Sequence, residues 1–569
     1  MIDRPSLVDC GGGVWLERAV RCTLSDGVAL VSDHYYPPGD GPHPTILMRQ
    51  PYGRDIASTV VYAHPIWFAS HGYNVVIQDV RGRGDSEGEF YPFRTEGRDG
   101  AETIAWLRTR PESNGKVGMY GFSYQGLTQL LAAAERPRGL LCISPAMAAC
   151  DLYRGWFYHH GALRLAGAIG WGLQMLRFDA RRAGLREAHD EFEAAWASRT
   201  RPLAAPYENI PAIQATYLQD WITHTEPGEY WSAHDVSATL DRIDIPALHV
   251  SGWYDMYLQG SFDGFLSLCE HAGSQFARDH QYLLAGPWLH IPWGSRIGER
   301  DFGPDARLDT DALLLAWFNH WLKDSGEFAA QPRIRHFALG AATESRWFST
   351  DELAPTQFLT FYLHSQGRAN SSKGDGALGI AAPTTDEPAD QFVYDPEVPV
   401  LAPGGSFAPS GCFDQAVLEQ GNNLLVYTTA VFEEPIHVFG SPTLELFCIT
   451  SAVNADFTGK LVRVTPDGRC EFLCIGIARS GFLFKDEGYA SDSIYRWRFT
   501  LEPTSCVFAA GDRLRIEIAG GAFPLYDRNP SRDIPARMAD PWNWARSTHR
   551  VLHDAAHPST LTLPLALPS

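Results

Sequence analysis

The sequence predicts an α/β protein that carries an inserted helical segment and ends in an all-β sandwich. Three observations point there. Short apolar runs alternate with helical periods up to residue 147. A helical, Trp-rich stretch then interrupts the alternation until about residue 242, and PALHVSGWYD (246–255) resumes it. Beyond about residue 350 the helical period gives way to short alternating strands. The expected division is an α/β domain over 1–147 and 243–350, a helical cap over 148–242, and a jelly-roll-like β-sandwich over 351–569.

Taken in order, VWLERAVRCTL and VALVSDHYYP read as a hairpin closed by Asp26-Gly27. PTILMRQ (44–50) and YNVVIQDV (73–80) are apolar runs ending in polar residues, as strands buried on both faces do. RTEGRDGAETIAWLRTR (94–110) reads as a helix, KVGMYG as a strand, SYQGLTQLLAAAER (123–136) as a helix and GLLCISP (139–145) as a strand. That βαβα order implies a doubly wound sheet covered on both faces. In the cap, DARRAGLREAHDEFEAAWAS (179–198) is the clearest amphipathic piece. A helix near 261–271, the strand QYLLAGPW (281–288) and the helix LDTDALLLAWFNHWLKD (308–324) complete the α/β part. FLTFYLH, TLELFCIT, KLVRVT, YRWRFTL and DRLRIEIA, separated by Gly, Pro and Asp turns, carry the sandwich signature. Residues 366–390 are poor in large apolar groups and read as an exposed loop.

With 569 residues, length alone suggests roughly three to four domains. Lys and Arg number 47 against 67 Asp and Glu, a formal charge of −20. Such a surface repels polyanions and argues against nucleic acid or an anionic membrane as partner. No apolar run approaches the roughly 20 residues of a membrane span. MIDRPSLVDCGGGVW at the start lacks a charged-then-apolar signal region. Ten cysteines are scattered without CxxC pairs, and Cys470 and Cys474, the nearest neighbours, read as buried thiols rather than metal ligands. Together these features lead us to expect a reducing, cytoplasmic setting.

GFSYQG (121–126) nearly matches the G-x-S-x-G nucleophile elbow, but Gln125 stands where the second glycine belongs and Gly126 comes one place late. The preceding run is a strand and the following run a helix, the context an elbow needs. A Ser123 that merely caps that helix fits the same residues. Asp255 closes HVSGWYD and His290 follows YLLAGPW, so Ser, acid and His come in the order expected of this architecture. All three would emerge at the carboxyl edge of the sheet, where catalytic groups gather in open α/β folds. Taken singly, Asp255 fits a capping aspartate and His290 a loop histidine. Asp79 lies upstream of the serine, Asp263 falls within a helix, and His271 and His280 precede the strand, so these rivals are weaker. VRGRGDSEGEF has neither a Walker lysine nor dinucleotide spacing and reads as a structural loop after the fourth strand, bordering the site.

RQPYGRD (49–55), VIQDVRGRGDSEGEF (76–90), GMYGFSYQGLTQ (118–129), GWYD (252–255) and GPWLH (286–290) carry a resemblance. So do AAGDRLRIEIAGGAFPLYDRNP (509–530) and VLHDAAHPSTLTLP (551–564). The chain resembles, over essentially its whole length, the cocaine esterase / X-Pro dipeptidyl-peptidase group of α/β-hydrolases, the peptidase S15-like acyl esterases. That group writes its elbow G-x-S-Y-x-G, so the resemblance makes the late glycine regular. It implies Ser123 as nucleophile, His290 as general base then acid, and Asp255 as the residue that orients His290. It also implies an oxyanion hole from the Tyr124 backbone N–H and the Tyr52 phenol.

The same resemblance places Trp156, Trp171 and Tyr257 around an acyl pocket, although each fits a core position equally well. As pocket residues they favour a bulky aromatic or apolar acyl group. The α-amino-acid ester hydrolases of the group carry carboxylates two and three residues past the catalytic aspartate, where this chain has Tyr257 and Leu258. A free α-amino acyl substrate is therefore disfavoured. The expected partner is a small-molecule ester or amide, with no metal or organic cofactor, and a homodimer is left open. Amidase or acylase, X-Pro-type dipeptidyl-peptidase and biosynthetic acyltransferase are the alternatives, with a non-catalytic binding protein the weakest. His159 and His160, if helical, diverge by roughly 100° and cannot share an ion.

Overall fold

The computed structural model describes residues 7–55, 59–197, 211–326, 328–341, 345–352, 355–407 and 409–566. Its main sheet is built from β1 (Leu7–Asp9), β2 (Trp15–Thr23), β3 (Ala29–Tyr36), β4 (His43–Gln50), β5 (Asn74–Asp79), β6 (Ser113–Phe122), β7 (Leu140–Ala146), β8 (Ala247–Tyr254), β9 (Gln281–Leu289), β10 (Ile334–Gly340) and β11 (Arg346–Thr350). The spatial order is β1-β2-β3-β5-β4-β6-β7-β8-β9-β10-β11. From β5 to β10 every pairing is parallel, and antiparallel strands close both ends. The chain leaves β4 toward β5 on one side and returns to β6 on the other, which opens a crevice at the carboxyl ends of β4 and β6.

Burial on both faces explains the apolar runs. Ile46 and Met48 of β4 face α1 (Pro65–Ser70), while Leu47 faces α2 (Glu96–Leu107) and α3 (Tyr124–Ala134). In the cap, α4 (Leu165–Ala183) and α5 (Arg186–Ala197) form a helical hairpin, followed by α6 (Tyr217–Thr223) and α7 (Glu229–Ser232). The 179–198 segment is thus two helices, because Gly184 takes a left-handed φ of 69° and ends the first. Its last residue, 198, lies outside the described residues. After the cap come α8 (Leu258–His271), α9 (Gln275–Asp279) and α10 (Thr310–Lys323), the last packing beside α1.

The C-terminal part is β-rich. Thr443–Thr450 alternates buried and half-buried residues strictly, and Leu444 and Leu446 join Phe457, Trp497 and Ile516 in its core. That core continues into Phe265, Leu283 and Phe337 of the α/β part, and β10 pairs in parallel with Thr504–Phe508. Cap and sandwich meet at buried charges. Arg479 reaches Asp456 at 2.8 Å and Asp527 at 2.9 Å, and Asp527 accepts the Leu163 N–H at 3.0 Å. Two expectations need correction here. His159 and His160 lie at a two-residue strand and turn rather than on a helix. Each is engaged separately, with the Tyr526 hydroxyl and the Ile477 carbonyl respectively. Cys470 and Cys474 are buried free thiols, and no metal-binding group of His, Cys, Asp or Glu forms among the described residues.

The other correction concerns 366–390, which is no simple exposed loop. Ala369 and Leu378 are buried, and Ala377–Gly379 pairs with Gln357–His364 and with Thr428–Thr429. A buried polar knot fixes the segment. His553 contacts Asp390 at 2.9 Å and Glu387 at 3.1 Å, and Asp390 also accepts the hydroxyls of Ser365 at 2.6 Å and Tyr427 at 2.7 Å. Burial pulls the His553 imidazole down, but the two carboxylates outweigh it and hold it above the ordinary histidine value. An imidazole raised in this way stabilises the fold fully below its unfolded value of roughly 6.5, and that stability is lost as pH rises through the folded value. The wild type is therefore expected to lose melting temperature from neutral pH upward, and His553→Gln to lack that slope; parallel thermal melts across the range test this.

Candidate active site

Each candidate residue follows a parallel strand at its carboxyl end. Tyr52 follows β4, Ser123 follows β6, Asp255 follows β8 and His290 follows β9. The rivals lie elsewhere: Asp79 is paired with Arg54 at 2.7 Å, Asp263 sits within α8, and His271 and His280 end helices. VRGRGDSEGEF follows β5, and its Arg83 stacks over Phe90 and pairs with Asp179 of the cap at 3.0 Å.

Ser123 turns the chain from β6 into α3 with φ 62° and ψ −127°. A non-glycine residue in so sparsely populated a conformation costs about 1–3 kcal/mol. Its N–H donates to the Ala146 carbonyl at 2.8 Å, and its own carbonyl accepts from Gly126 and Leu127 at 2.9 and 3.1 Å. The late glycine now has a steric reason. A Cβ on Gly126 would lie 2.7 Å from the Ala148 Cβ and 2.8 Å from the Ala146 carbonyl oxygen, where α3 presses on the end of β7. Gln125 has room because its side chain folds back over the turn, where its Oε1 accepts the Phe122 N–H at 3.2 Å. A Cβ on Gly121 would meet the Gln125 Cβ at 2.5 Å, so that glycine is required as well.

The His290 Nδ1–H donates to Asp255 Oδ1 at 2.6 Å, leaving Nε2 as the free imidazole nitrogen. Asp255 is fully buried, and its Oδ2 accepts the Tyr257 backbone N–H at 3.0 Å. The imidazole is held between Phe122 and Tyr257, each 5.3 Å away by ring centroid. Among the described residues no direct Ser123–His290 hydrogen bond forms; the hydroxyl instead keeps company with the phenols of Tyr52 and Tyr257.

Burial pushes the Tyr52 phenol up to about 12, against the smaller opposing influence of the neighbouring Trp171 and Ser123. It therefore stays protonated at neutral pH and able to donate. The Tyr124 N–H opens α3, where the helix supplies no acceptor and the dipole favours negative charge. The Tyr124 side chain points away from the crevice: its hydroxyl donates to Glu96 at 2.8 Å, and Glu96 pairs with buried Arg49 at 2.9 Å.

Trp156 stacks on Tyr257 with centroids 3.8 Å apart, and Trp171 lies 5.9 Å from Trp156 and stacks on Trp221 at 5.0 Å. The structure thus brings Tyr52, Trp156, Trp171 and Tyr257 into one aromatic wall beside Ser123. Sequence reasoning missed the groups that other parts of the chain bring to this wall. A small cavity behind Tyr257 is lined by Arg164 and Trp156 of the cap, Met256, and Ser406, Phe407 and Leu525 of the sandwich. Nothing local in GGSFAPSG marks Phe407; only its place in the fold does.

Comparison with known proteins identifies relatives over nearly the whole chain. Residues 26–292 match the X-Pro dipeptidyl-peptidase (S15 family) profile, and 327–562 match the X-Pro dipeptidyl-peptidase C-terminal non-catalytic domain. Cocaine esterase of Rhodococcus sp. (strain MB1 Bresler) is 32% identical, the alignment covering 96% of this chain and 98% of the esterase. Among solved structures, an α-amino acid ester hydrolase superposes with a TM-score of 0.79 at 22% identity, covering 98% of each chain. A CocE/NonD family hydrolase from Staphylococcus aureus superposes with a TM-score of 0.71 at 17% identity, covering 97% of this chain and 94% of its own. These last two share the fold.

The elbow geometry makes a prediction about stability. Gly126→Val should cost about 1–3 kcal/mol by overpacking α3 against β7, whereas Gln125→Ala, which removes only one side-chain acceptor, should cost clearly less. Urea unfolding of the two variants measures the difference; equal losses would contradict the steric account.

Proposed function

The chain belongs to the X-Pro dipeptidyl-peptidase (S15) family and is a serine hydrolase, and on that footing we propose that it cleaves carboxylic esters with a bulky, largely apolar acyl group through Ser123, His290 and Asp255. The observation that carries the reading is the 2.6 Å Asp255–His290 contact at the same sheet edge as the strained Ser123 turn. Ser123 Oγ turns from its phenol neighbours toward His290, gives its proton to Nε2 and attacks the ester carbonyl carbon. The carbonyl oxygen becomes an oxyanion that accepts from the Tyr52 O–H and the Tyr124 N–H. Collapse breaks the carbon–oxygen bond to the alcohol, which leaves with the proton from His290. Water then gives a proton to His290 and attacks the acyl-enzyme, and release of the acid returns the proton to Ser123. Asp255 keeps the imidazole in the tautomer this needs and stabilises the imidazolium.

The aromatic wall supports the acyl preference, since Trp156, Trp171 and Tyr257 offer ring faces rather than charges. X-Pro-type peptide cleavage would use the same three residues but needs an anion for the substrate's free amine. Tyr257 and Leu258 occupy the two positions where related ester hydrolases carry carboxylates, and nearby Glu502 is already paired with Arg164 at 2.9 Å.

A fluorophosphonate probe followed by peptide mapping tests the assignment. One adduct is expected on Ser123, absent in Ser123→Ala and formed far more slowly in His290→Ala; a folded wild type that takes no label would sink it. Tyr52→Phe should lower kcat by roughly a hundredfold or more, the usual loss for one oxyanion donor, with an unchanged melting temperature. Undiminished turnover in that variant would remove Tyr52 from the oxyanion hole.

A further inference from the structure

Tyr52 stands in a turn that is held on both flanks by one buried carboxylate. Gln50, just before the turn, is fully buried; its Oε1 accepts the Tyr52 N–H at 2.7 Å and its Nε2 donates to Asp79 Oδ1 at 3.2 Å. Arg54, just after it, donates from Nη1 to Asp79 Oδ2 at 2.7 Å. Asp79 is fully buried at the carboxyl end of β5, in register with Gln50 at the end of β4. Between these anchors packing does little: Gly53 has a φ of 104°, and a Cβ there would meet nothing within 4 Å. The VRGRGDSEGEF loop closes over the other side of Asp79. Its Asp85 N–H donates to Oδ2 at 3.4 Å, and Gly84, at φ 51°, lies so close that a Cβ would collide with the carboxylate.

Resting on the oxyanion-hole reading above, we propose that Asp79 is a positioning residue that acts through Gln50 and Arg54 to aim the Tyr52 phenol at the oxyanion. Both of its oxygens serve as acceptors, one for each flank of the turn. An amide cannot do the same. Asn at this place sets an NH2 group against either the Gln50 Nε2 or the Arg54 Nη1, so one flank is released whichever way it turns. A Gln50 flip to suit would only bring its own NH2 against the Tyr52 N–H. Arg54 keeps Asp33 and Asp85, each at 2.8 Å, in either case, so most of the ion cluster survives the change. What is lost is the aim of the phenol, and misplacing a reacting partner by about an ångström costs up to roughly a hundredfold in rate. The loop glycine follows from the same need, since Gly84 leaves room for the carboxylate between the loop and the turn.

Hydrolysis of para-nitrophenyl benzoate by the wild type, Asp79→Asn, Tyr52→Phe and the double variant tests this. Asp79→Asn should lower kcat by about tenfold while KM stays within about twofold. Added to Tyr52→Phe, the same change should lower kcat by less than about twofold, because the phenol it aims is gone. Gln50→Met removes one clasp without touching a charge; it should show the same dependence on Tyr52, and it carries the test should Asp79→Asn fail to fold. Unchanged kcat in both single variants, or a loss of equal size with and without the Tyr52 hydroxyl, would overturn the proposal. Undiminished turnover in Tyr52→Phe alone, or a wild type that neither hydrolyses the ester nor takes phosphonate on Ser123, would instead overturn the reading on which this inference rests.

Discussion

Ser123 is held at φ 62° between β6 and α3, and the rest of the site is arranged around that one strained turn. The turn persists because β7 grips it through the Ala146 carbonyl and because Gly126 lets α3 approach β7 to contact distance. What the strain gains is direction. The side chain leaves the sheet at its carboxyl edge, beside a free helix N-terminus, at the point where the strand order reverses. Asp255 and His290 need no comparable strain, since each simply follows the end of a parallel strand further along the same edge.

Three parts of the chain close over that edge, and each contributes something the others lack. The α/β part supplies the nucleophile candidate, the Asp255–His290 pair and the phenol of Tyr52. The cap supplies Trp156 and Trp171, which enclose the serine in aromatic rings and strengthen the electrostatics inside by excluding water. The sandwich supplies Phe407 and Ser406, and it holds the cap through Arg479, which donates to the Gly161 carbonyl at 3.3 Å, and through Asp527, which accepts the Leu163 N–H at 3.0 Å. Asp456 and Asp527 pair with Arg479 within the sandwich and so fix the groups that hold the cap.

Much of this was legible in the sequence, for identifiable reasons. Strands β4 to β9 announce themselves as apolar runs because both faces are buried, and Ser123, Asp255 and His290 stand at their ends. The elbow was readable as an elbow, but the reason for its late glycine was not, because it lies in the distance between α3 and β7 rather than in the local pattern. The helix break at Gly184 was visible as a glycine yet hidden by strong amphipathic spacing on either side. The 366–390 segment misled by composition: its anchors are Asp390 and the distant His553 and Tyr427, whose pairing no local pattern encodes.

The central claim is that the strained serine carries a covalent acyl intermediate, and rapid-quench intact-mass spectrometry with a slowly deacylating aromatic ester measures it most directly. The account predicts a burst of about one equivalent of alcohol per chain, matched by one added acyl mass that maps to the peptide containing Ser123. Steady turnover with no added mass, or an acyl group on any other residue, would contradict it.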